Sequence, residues 1–558
     1  MNIKNYIKGK VKEILHVEKE IIVEIPPREN MGNYSIQCAN YRTENLKTPM
    51  DVAKYIQEHF VDDKGYFREI KLIGPYINFY INYDVLANYV IPMIEENNSY
   101  YGSSYEGKDE FLLVEHTSIN PNAEPHIGRC RNSLIGDFLS NLYQILGYSV
   151  ERHYYINDLG KKIALLIIGI ETYGLSDDSF SSILDVYVKI SKAAKEDSSI
   201  DEKAFLYLEK VESGDKEMIQ KFKDITDKCV QGQLKIFGEL NIHFDVFTHE
   251  SDYVYDRSGI DFVLNQLKDK GRLKEDELGR YYVDLTGYDI PTKEPVLVLT
   301  RSNKTALYPM KDILYTIYKM KRNPEHNFIV LGEDQAVYMQ QISAVLDILG
   351  YDSPKLVSYS YVLLDGDKMS TSGGTVVLVT EFMKAVKEKL KENLSSRGEN
   401  ISSKELQKLC NASIKFTMLN VSKNKIVNFN LEKSTSFTGE SGIYILYSIV
   451  RINSILKNVG DVSSDIIKLV DPIEYKIVHE LYRFPEVIQE LLQSYEPAHL
   501  TKYLFNLTQQ FSKFYEQINI LYEDDLVLKA SRIRLICAIK TVLENGLKIL
   551  GIDTIEHM

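Results

Sequence analysis

The stretch Glu115-His-Thr-Ser-Ile-Asn-Pro-Asn-Ala-Glu-Pro-His126-Ile-Gly-Arg129 follows the apolar run Phe111-Leu-Leu-Val114 and decides the fold. The apolar run reads as a buried strand, the Asn- and Pro-rich stretch as a turn, and His126-Ile-Gly128 as the opening of a helix. That order is how a nucleotide-binding α/β fold sets backbone N–H groups and the positive end of a helix against an anion. Far downstream, Asp365-Gly-Asp-Lys368-Met369-Ser370-Thr-Ser372-Gly-Gly374 reads as a polar loop carrying one cation.

Outward from this turn, residues 108–170 and 283–380 alternate strand-like and helical patterns. Leu134 to Leu146 has helical apolar spacing and ends at Gly147, a helix-stopping residue. Val296-Leu-Val-Leu299 and Phe328-Ile-Val-Leu331 read as buried parallel strands. Residues 175–282 are charged and mostly helical, an insertion between two halves of one Rossmann-like domain. Residues 1–95 read as a small α+β unit, with strands at Ile21-Ile-Val-Glu-Ile25 and Ile77-Asn-Phe-Tyr-Ile81, followed by a polar, Gly-punctuated linker. From 381 to 558 the pattern is almost wholly helical. The expected architecture is therefore multidomain: an N-terminal α+β domain, an α/β domain at 108–380 with a helical insertion, and a C-terminal all-α domain.

Composition narrows the classes. A chain of 558 residues exceeds one hydrophobic core, and its net charge of −13 excludes an indiscriminate polyanion binder. An RNA partner would have to meet local basic patches. Cys38, Cys130, Cys229, Cys410 and Cys537 form no CxxC pair, so neither a zinc site nor a disulfide framework is expected. The N-terminus lacks a signal-peptide core, and Ile163–Gly169 falls far short of the ~20 apolar residues of a membrane span. A cytoplasmic protein is expected.

His126 at a helix start can donate to phosphate, Gly128 can let a nucleotide approach the backbone, and Lys368 can neutralise departing phosphates. His126-Ile-Gly128 alone reads more readily as a plain helix cap without a ligand. Taken together, His126-Ile-Gly128 and Lys368-Met369-Ser370 resemble the HIGH and KMSKS signatures of class I aminoacyl-tRNA synthetases, which activate amino acids with ATP and Mg2+. The resemblance narrows to the arginyl-tRNA synthetase family at Val114-Glu115-x-x-Ser118-x-Asn120-Pro121, at Arg131-Asn-Ser-Leu-Ile-Gly-Asp137 and at Tyr155-Ile-Asn-Asp-Leu-Gly160. Tyr308-Pro-Met-Lys-Asp312 and Gln335 complete it.

Chemistry agrees with arginine as substrate. A guanidinium needs a carboxylate, and Asp312 with Tyr308 one helical turn earlier can provide one, with Glu115 adding negative charge. Asn120 and Gln335 suit the α-amino group, and Ser118 belongs to the same family element. The ends match too. Met31-Gly-Asn-Tyr34 and Gly74-Pro-Tyr-Ile-Asn78-Phe79 resemble the family's additional N-terminal domain, which touches the tRNA elbow. The stretch from Phe437 to Tyr447, with Arg451, resembles its anticodon-binding domain. Tyr444 and Tyr447 can stack on unpaired bases or pack in the core. The resemblance implies an arginine–tRNA ligase that is monomeric, uses L-arginine and tRNA(Arg), and contacts neither DNA nor membrane.

Several positions depart from the family pattern. Arg129 replaces the second His of HIGH, and Thr371 the second Lys of KMSKS. Ser372 stands where many members carry Arg, and Glu124 where many carry Lys. Leu446 replaces a Gln and Ile443 a Pro. Arg129 is expected to restore positive charge that the downstream loop has lost.

Overall fold

The computed structural model describes residues 2–254, 257–323, 325–364, 367–368, 377–460 and 463–557. The chain begins with α1 (Ile3–Leu15), β1 (Tyr34–Gln37), α2 (Pro49–His59), β2 (Phe67–Ile73), β3 (Tyr76–Ile81) and α3 (Tyr83–Asn97). Next come β4 (Phe111–Glu115), α4 (Ile127–Ile145) and β5 (Ser149–Ile156). Four helices follow: α5 (Lys161–Tyr173), α6 (Phe180–Glu196), α7 (Ser198–Glu212) and α8 (Lys216–Glu239). Then come β6 (Val246–His249), α9 (Ser251–Val254), α10 (Arg257–Asp269), β7 (Leu273–Glu275), β8 (Tyr281–Asp284) and β9 (Val296–Val298). The next elements are α11 (Tyr308–Arg322), β10 (Asn327–Gly332), α12 (Ala336–Leu349), β11 (Lys355–Tyr359), β12 (Val362–Leu364) and β13 (Asp367–Lys368). The last are α13 (Val379–Ser396), α14 (Ser403–Leu419), β14 (Val427–Phe429), α15 (Leu431–Ser434), α16 (Gly442–Asn458), α17 (Pro472–Ser494), α18 (Pro497–Gln517) and α19 (Leu526–Ile549).

Two compact units result. One comprises Met1–Tyr101, Arg451–Glu486 and Asn506–Asn545, the other Gly102–Val450, Val487–Phe505 and Gly546–Met558. In the first unit, β1, β3 and β2 form an antiparallel sheet, with Tyr34–Gln37 paired to Tyr76–Phe79. Ile3, Ile7, Val11 and Leu15 recur every four residues along α1 and are all buried, as one helix face requires. The expected strand at Ile21–Ile25 is reduced to a single bridge, Glu24 with Ser35.

The second unit is built on a five-stranded sheet ordered β11-β10-β4-β5-β6, every neighbouring pair parallel. The central residues of β4, Leu112-Leu-Val114, are buried consecutively rather than alternately, as expected of a strand covered on both faces. The chain runs outward from β4 to β6, then returns to the other side of β4 with β10. A crevice must open where the direction reverses, at the carboxyl ends of β4 and β10.

The two strands pair as far as Glu115 and Ile329. Beyond that point the Thr117 N–H donates to Asn132 Oδ1 at 2.7 Å, and Asn132 Nδ2 donates to the Val330 carbonyl at 2.7 Å. The amide of Asn132, on α4, thus acts as a rung between diverging strands, leaving these backbone groups paired. Thr117 takes the left-handed conformation, with φ +63°, which a β-branched residue rarely adopts. Its hydroxyl lies 2.6 Å from the Ser133 hydroxyl. Gly136 permits this close approach, because a Cβ there would lie 2.2 Å from the His116 ring.

Two further expectations are corrected. Val296–Val298 is not a parallel strand. β9 joins the antiparallel meander β7-β8-β9, with Tyr282 opposite Val298, and its apolar run is fully buried only at Leu297. The stretch 175–282 is not one helical insertion, because it contains β6, the edge strand of the parallel sheet. The region after 381 is almost wholly helical, as expected, with the short β14 paired in parallel with β12.

Arg131, fully buried on α4, ties these parts together. Its Nη1 donates to the carbonyls of Ser360 and Lys425 at 2.7 and 2.8 Å, and its Nη2 to those of Val421 and Ser422 at 3.0 and 2.9 Å. One guanidinium therefore holds the segment before β12 and the turn before β14 against α4. Arg131→Ala should destabilise the protein by about 3 kcal/mol, because four carbonyls lose a charged donor. Denaturant unfolding measures the loss, and Arg131→Lys, with fewer donors, should recover only part of it.

Candidate active site

The crevice between β4 and β10 holds a cavity of about 350 Å3. Its walls include Glu115 at the end of β4, Ser118 and Asn120 beyond it, Arg129 on α4, and Tyr155 and Asn157 at the end of β5. Tyr308, Asp312 and Lys319 come from α11, and Gln335 and Tyr338 from the segment after β10. All six residues expected to bind arginine are thus brought together with Arg129. Gln233, buried on α8, donates to the carbonyls of Asn120 and Ala123 at 3.1 and 2.8 Å and fixes the turn that carries Asn120.

The cavity's charges are unevenly paired. Lys319, fully buried, is bonded to Glu115, and its ammonium lies 4.3 Å from the Tyr315 ring centre. Lys311 and Glu250, both buried, pair at 2.6 Å. Glu115 is therefore compensated within the protein and adds little net negative charge for a ligand, contrary to expectation. Asp312 differs. Its partner is the Tyr338 hydroxyl, which donates to Oδ2 at 2.5 Å, and it has no cationic partner among the described residues. Burial pushes its carboxyl up to about 7, against the hydrogen bond from Tyr338, and the charges of Glu115 and Glu250 raise it further. Tyr308, expected to assist Asp312, has its ring centre 5.2 Å from that of Tyr338 and remains 57% exposed. Gln335 donates its amide to Asp334 at 2.9 Å.

His126 caps α4, its Nδ1 accepting from the Arg129 N–H at 3.3 Å. Burial, and secondarily Arg129, lowers its pKa and favours the neutral ring. With Nδ1 accepting, Nε2 carries the proton and can donate to an anion. Gly128 serves this cap, since a Cβ there would lie 3.2 Å from His126 Nδ1. The Arg129 side chain has no hydrogen-bond or ion-pair partner among the described residues.

The start of α4 is tied through the backbone to residues 377–379, downstream of the second motif. Ile127 donates to the Val377 carbonyl at 3.1 Å, Val379 donates to that of Pro125 at 2.9 Å, and His126 bridges Leu378. Glu124 accepts from the Thr380 hydroxyl. Lys368 contributes backbone to β13, paired with Leu363. Met369, Ser370, Thr371 and Ser372 lie outside the described residues.

The expected RNA contacts are scattered. Asn78 is buried in β3 and lines a separate cavity of about 250 Å3. Tyr447 accepts from Arg397 Nη2 at 3.1 Å, and Tyr444 packs edge-on to Phe505. Both rings are thus engaged in packing. Arg451 lies 5.2 Å from the Tyr515 ring centre. Leu446 and Ile443 are fully buried, so these departures sit in the core.

A parallel sheet with this strand order, a capped helix at its switch point and a downstream segment bridged to the cap fits the class I aminoacyl-tRNA synthetase design. Family models match throughout the chain. Residues 91–432 match the class I (R) tRNA synthetase catalytic domain, 445–558 the DALR anticodon binding domain, and 1–81 the arginyl tRNA synthetase N-terminal domain. The chain is 31% identical to an arginine–tRNA ligase of Methanococcus maripaludis and 32% identical to one of Methanocaldococcus jannaschii, over 99% of each chain in both cases. Its fold is similar to that of Thermus thermophilus arginyl-tRNA synthetase, with a TM-score of 0.82, 22% identity and complete coverage of both chains. The chain belongs to the arginine–tRNA ligase family, and its activity is the charging of tRNA with arginine.

Glu250, Lys311, Lys319 and Tyr338 were not singled out from sequence. Tyr338 follows Gln335 by three residues, about one helical turn, the one signal that marked it. The lysine–carboxylate pairs span distant segments and left no local trace. Lys319→Met should cost about 3 kcal/mol by leaving Glu115 without its partner. Adding Glu115→Gln should recover most of that loss, and a double-mutant cycle measures the coupling.

Proposed function

We propose that Asp312 takes the guanidinium of L-arginine in this cavity. The observation carrying this reading is its charge pattern: two carboxylates have lysine partners and the third has only a hydroxyl, so one cation is wanted. Glu115, held by Lys319, offers acceptor oxygens beside it. Ser118, Asn120 and Gln335 orient the α-amino end, with Gln335 leaving Asp334 to do so.

His126 Nε2 and the Arg129 guanidinium meet the phosphates of ATP at the positive end of α4. Lys368, Met369 and Ser370 complete the nucleotide site, Lys368 offsetting charge on the departing pyrophosphate. Among the described residues no group of three or more His, Cys, Asp or Glu side chains converges on a metal position. Magnesium would accompany ATP and offset charge on its phosphates.

The arginine carboxylate attacks the α-phosphorus, forming the acyl–phosphate bond of arginyl-adenylate as pyrophosphate leaves. The 2′-hydroxyl of the terminal adenosine of tRNA(Arg) then attacks the carbonyl carbon, and AMP departs. Neither step needs a protein nucleophile, so positioning and charge are this chain's contribution. Arg451, in the matched DALR region, contacts tRNA phosphate, while Tyr444 and Tyr447 shape that surface through their packing.

The test is aminoacylation of total tRNA with each labelled amino acid, with ATP–pyrophosphate exchange alongside. Arginine alone should be charged, and exchange without charging would indicate a different acceptor. Asp312→Asn should lower kcat/KM for arginine more than a hundredfold, as expected for about 3 kcal/mol. Because the carboxyl titrates near 7 and a cationic ligand binds its ionised form, arginine affinity should be constant well above that pH. Below it, affinity should fall up to tenfold per unit, as KM against pH reports. Arg129→Ala should cut adenylate formation far more than arginine binding, and equal losses would remove Arg129 from the phosphate site.

A further inference from the structure

Asp312 could have been held in place by a lysine, as Glu115 and Glu250 are. It is held by Tyr338, which brings a proton donor and no charge. The phenol is half-buried, and the Tyr308 ring lies beside it at 5.2 Å. At 2.5 Å from Oδ2, its hydroxyl takes up one carboxylate oxygen and leaves the other for the cavity.

Resting on the arginine-site reading above, we infer that Tyr338 is a specificity-determining positioning residue. It keeps Asp312 in place as an anionic acceptor, so the free oxygen favours a ligand that brings its own positive charge. A protonated Asp312 would become a donor and would suit citrulline, whose neutral urea group has the shape of a guanidinium but offers a carbonyl oxygen. The hydrogen bond from Tyr338 opposes that protonation, which burial favours.

The other charged and titratable groups around Asp312 do not duplicate this role. Glu115 and Glu250 favour protonation, and Lys319 opposes it while remaining committed to Glu115. Tyr155 and Tyr308 are further phenols in the cavity wall, Arg129 also lines it, and Lys311 is bonded to Glu250. Tyr338 is the donor bonded to the Asp312 carboxylate among the described residues.

The experiment measures KM for arginine and the inhibition constant of citrulline from pH 6 to 9 in the wild type, Tyr338→Phe, Tyr338→Gln and Asp312→Asn. Losing the phenol should move the inflexion in arginine KM upward by about one pH unit. At pH 7.5 the KM for arginine should rise about threefold and return to the wild-type value by pH 9, while the preference for arginine over citrulline should shrink by about tenfold. Tyr338→Gln, which keeps a donor, should restore part of the shift. A Tyr338→Phe profile offset equally at every pH, with its inflexion unmoved, would mean a merely structural role and would overturn the inference. Arginine affinity unaffected by Asp312→Asn would instead overturn the site reading itself, so the two failures are distinguishable.

Discussion

The crevice depends on how two parallel strands are parted. β4 and β10 must pair to build the sheet and must then diverge to leave room for a substrate. Parting strands normally exposes backbone donors and acceptors that the interior cannot satisfy. The amide of Asn132 meets this constraint, taking the Thr117 N–H on one side and the Val330 carbonyl on the other. Ser118 and Asn120 follow along one branch, Leu331 and Gln335 along the other. The left-handed Thr117 sits in the same turn, an unfavourable backbone state retained where the residues proposed to bind arginine begin.

Around that opening, two buried carboxylates have lysine partners and the third, Asp312, has none among the described residues. Buried ion pairs at Glu115–Lys319 and Glu250–Lys311 contribute little stability beyond their desolvation cost, but they set the electrostatic background. Against it, the exceptional group is Asp312, with a neutral phenol as partner. On the reading proposed above, a guanidinium would be satisfied there in charge and hydrogen bonding together. At the helix end the sign reverses, with neutral His126 capping α4 and Arg129 beside it, so one crevice presents an anionic pocket and a cationic rim.

Much of this was legible in the chain. The strand, turn and helix from Phe111 onward were readable because burial on both faces leaves a continuous apolar run, and a helix start has recognisable chemistry. The six residues that the motif resemblance assigns to arginine all line one cavity. Val296–Val298 misled because a short apolar run looks alike in parallel and antiparallel sheets. β6 escaped notice because four residues inside a charged stretch give no usable period. Tyr338 was one tyrosine among 39, and only its bond to Asp312 distinguishes it. Of the departures from the family pattern, Leu446 and Ile443 lie in the core, while Glu124 is tied to the Thr380 hydroxyl. Arg129 alone among these four lines the cavity.

The most direct measurement of the central claim counts protons. Calorimetric titration of the enzyme with arginine, repeated in buffers of different ionisation enthalpy, gives the protons released on binding. If arginine binds the ionised form of a carboxyl that titrates near 7, about half a proton should leave per arginine at pH 7, falling towards zero by pH 9. Binding with no proton release anywhere from pH 5 to 7 would contradict the account, because a buried carboxyl that meets the guanidinium must lose any proton it carries.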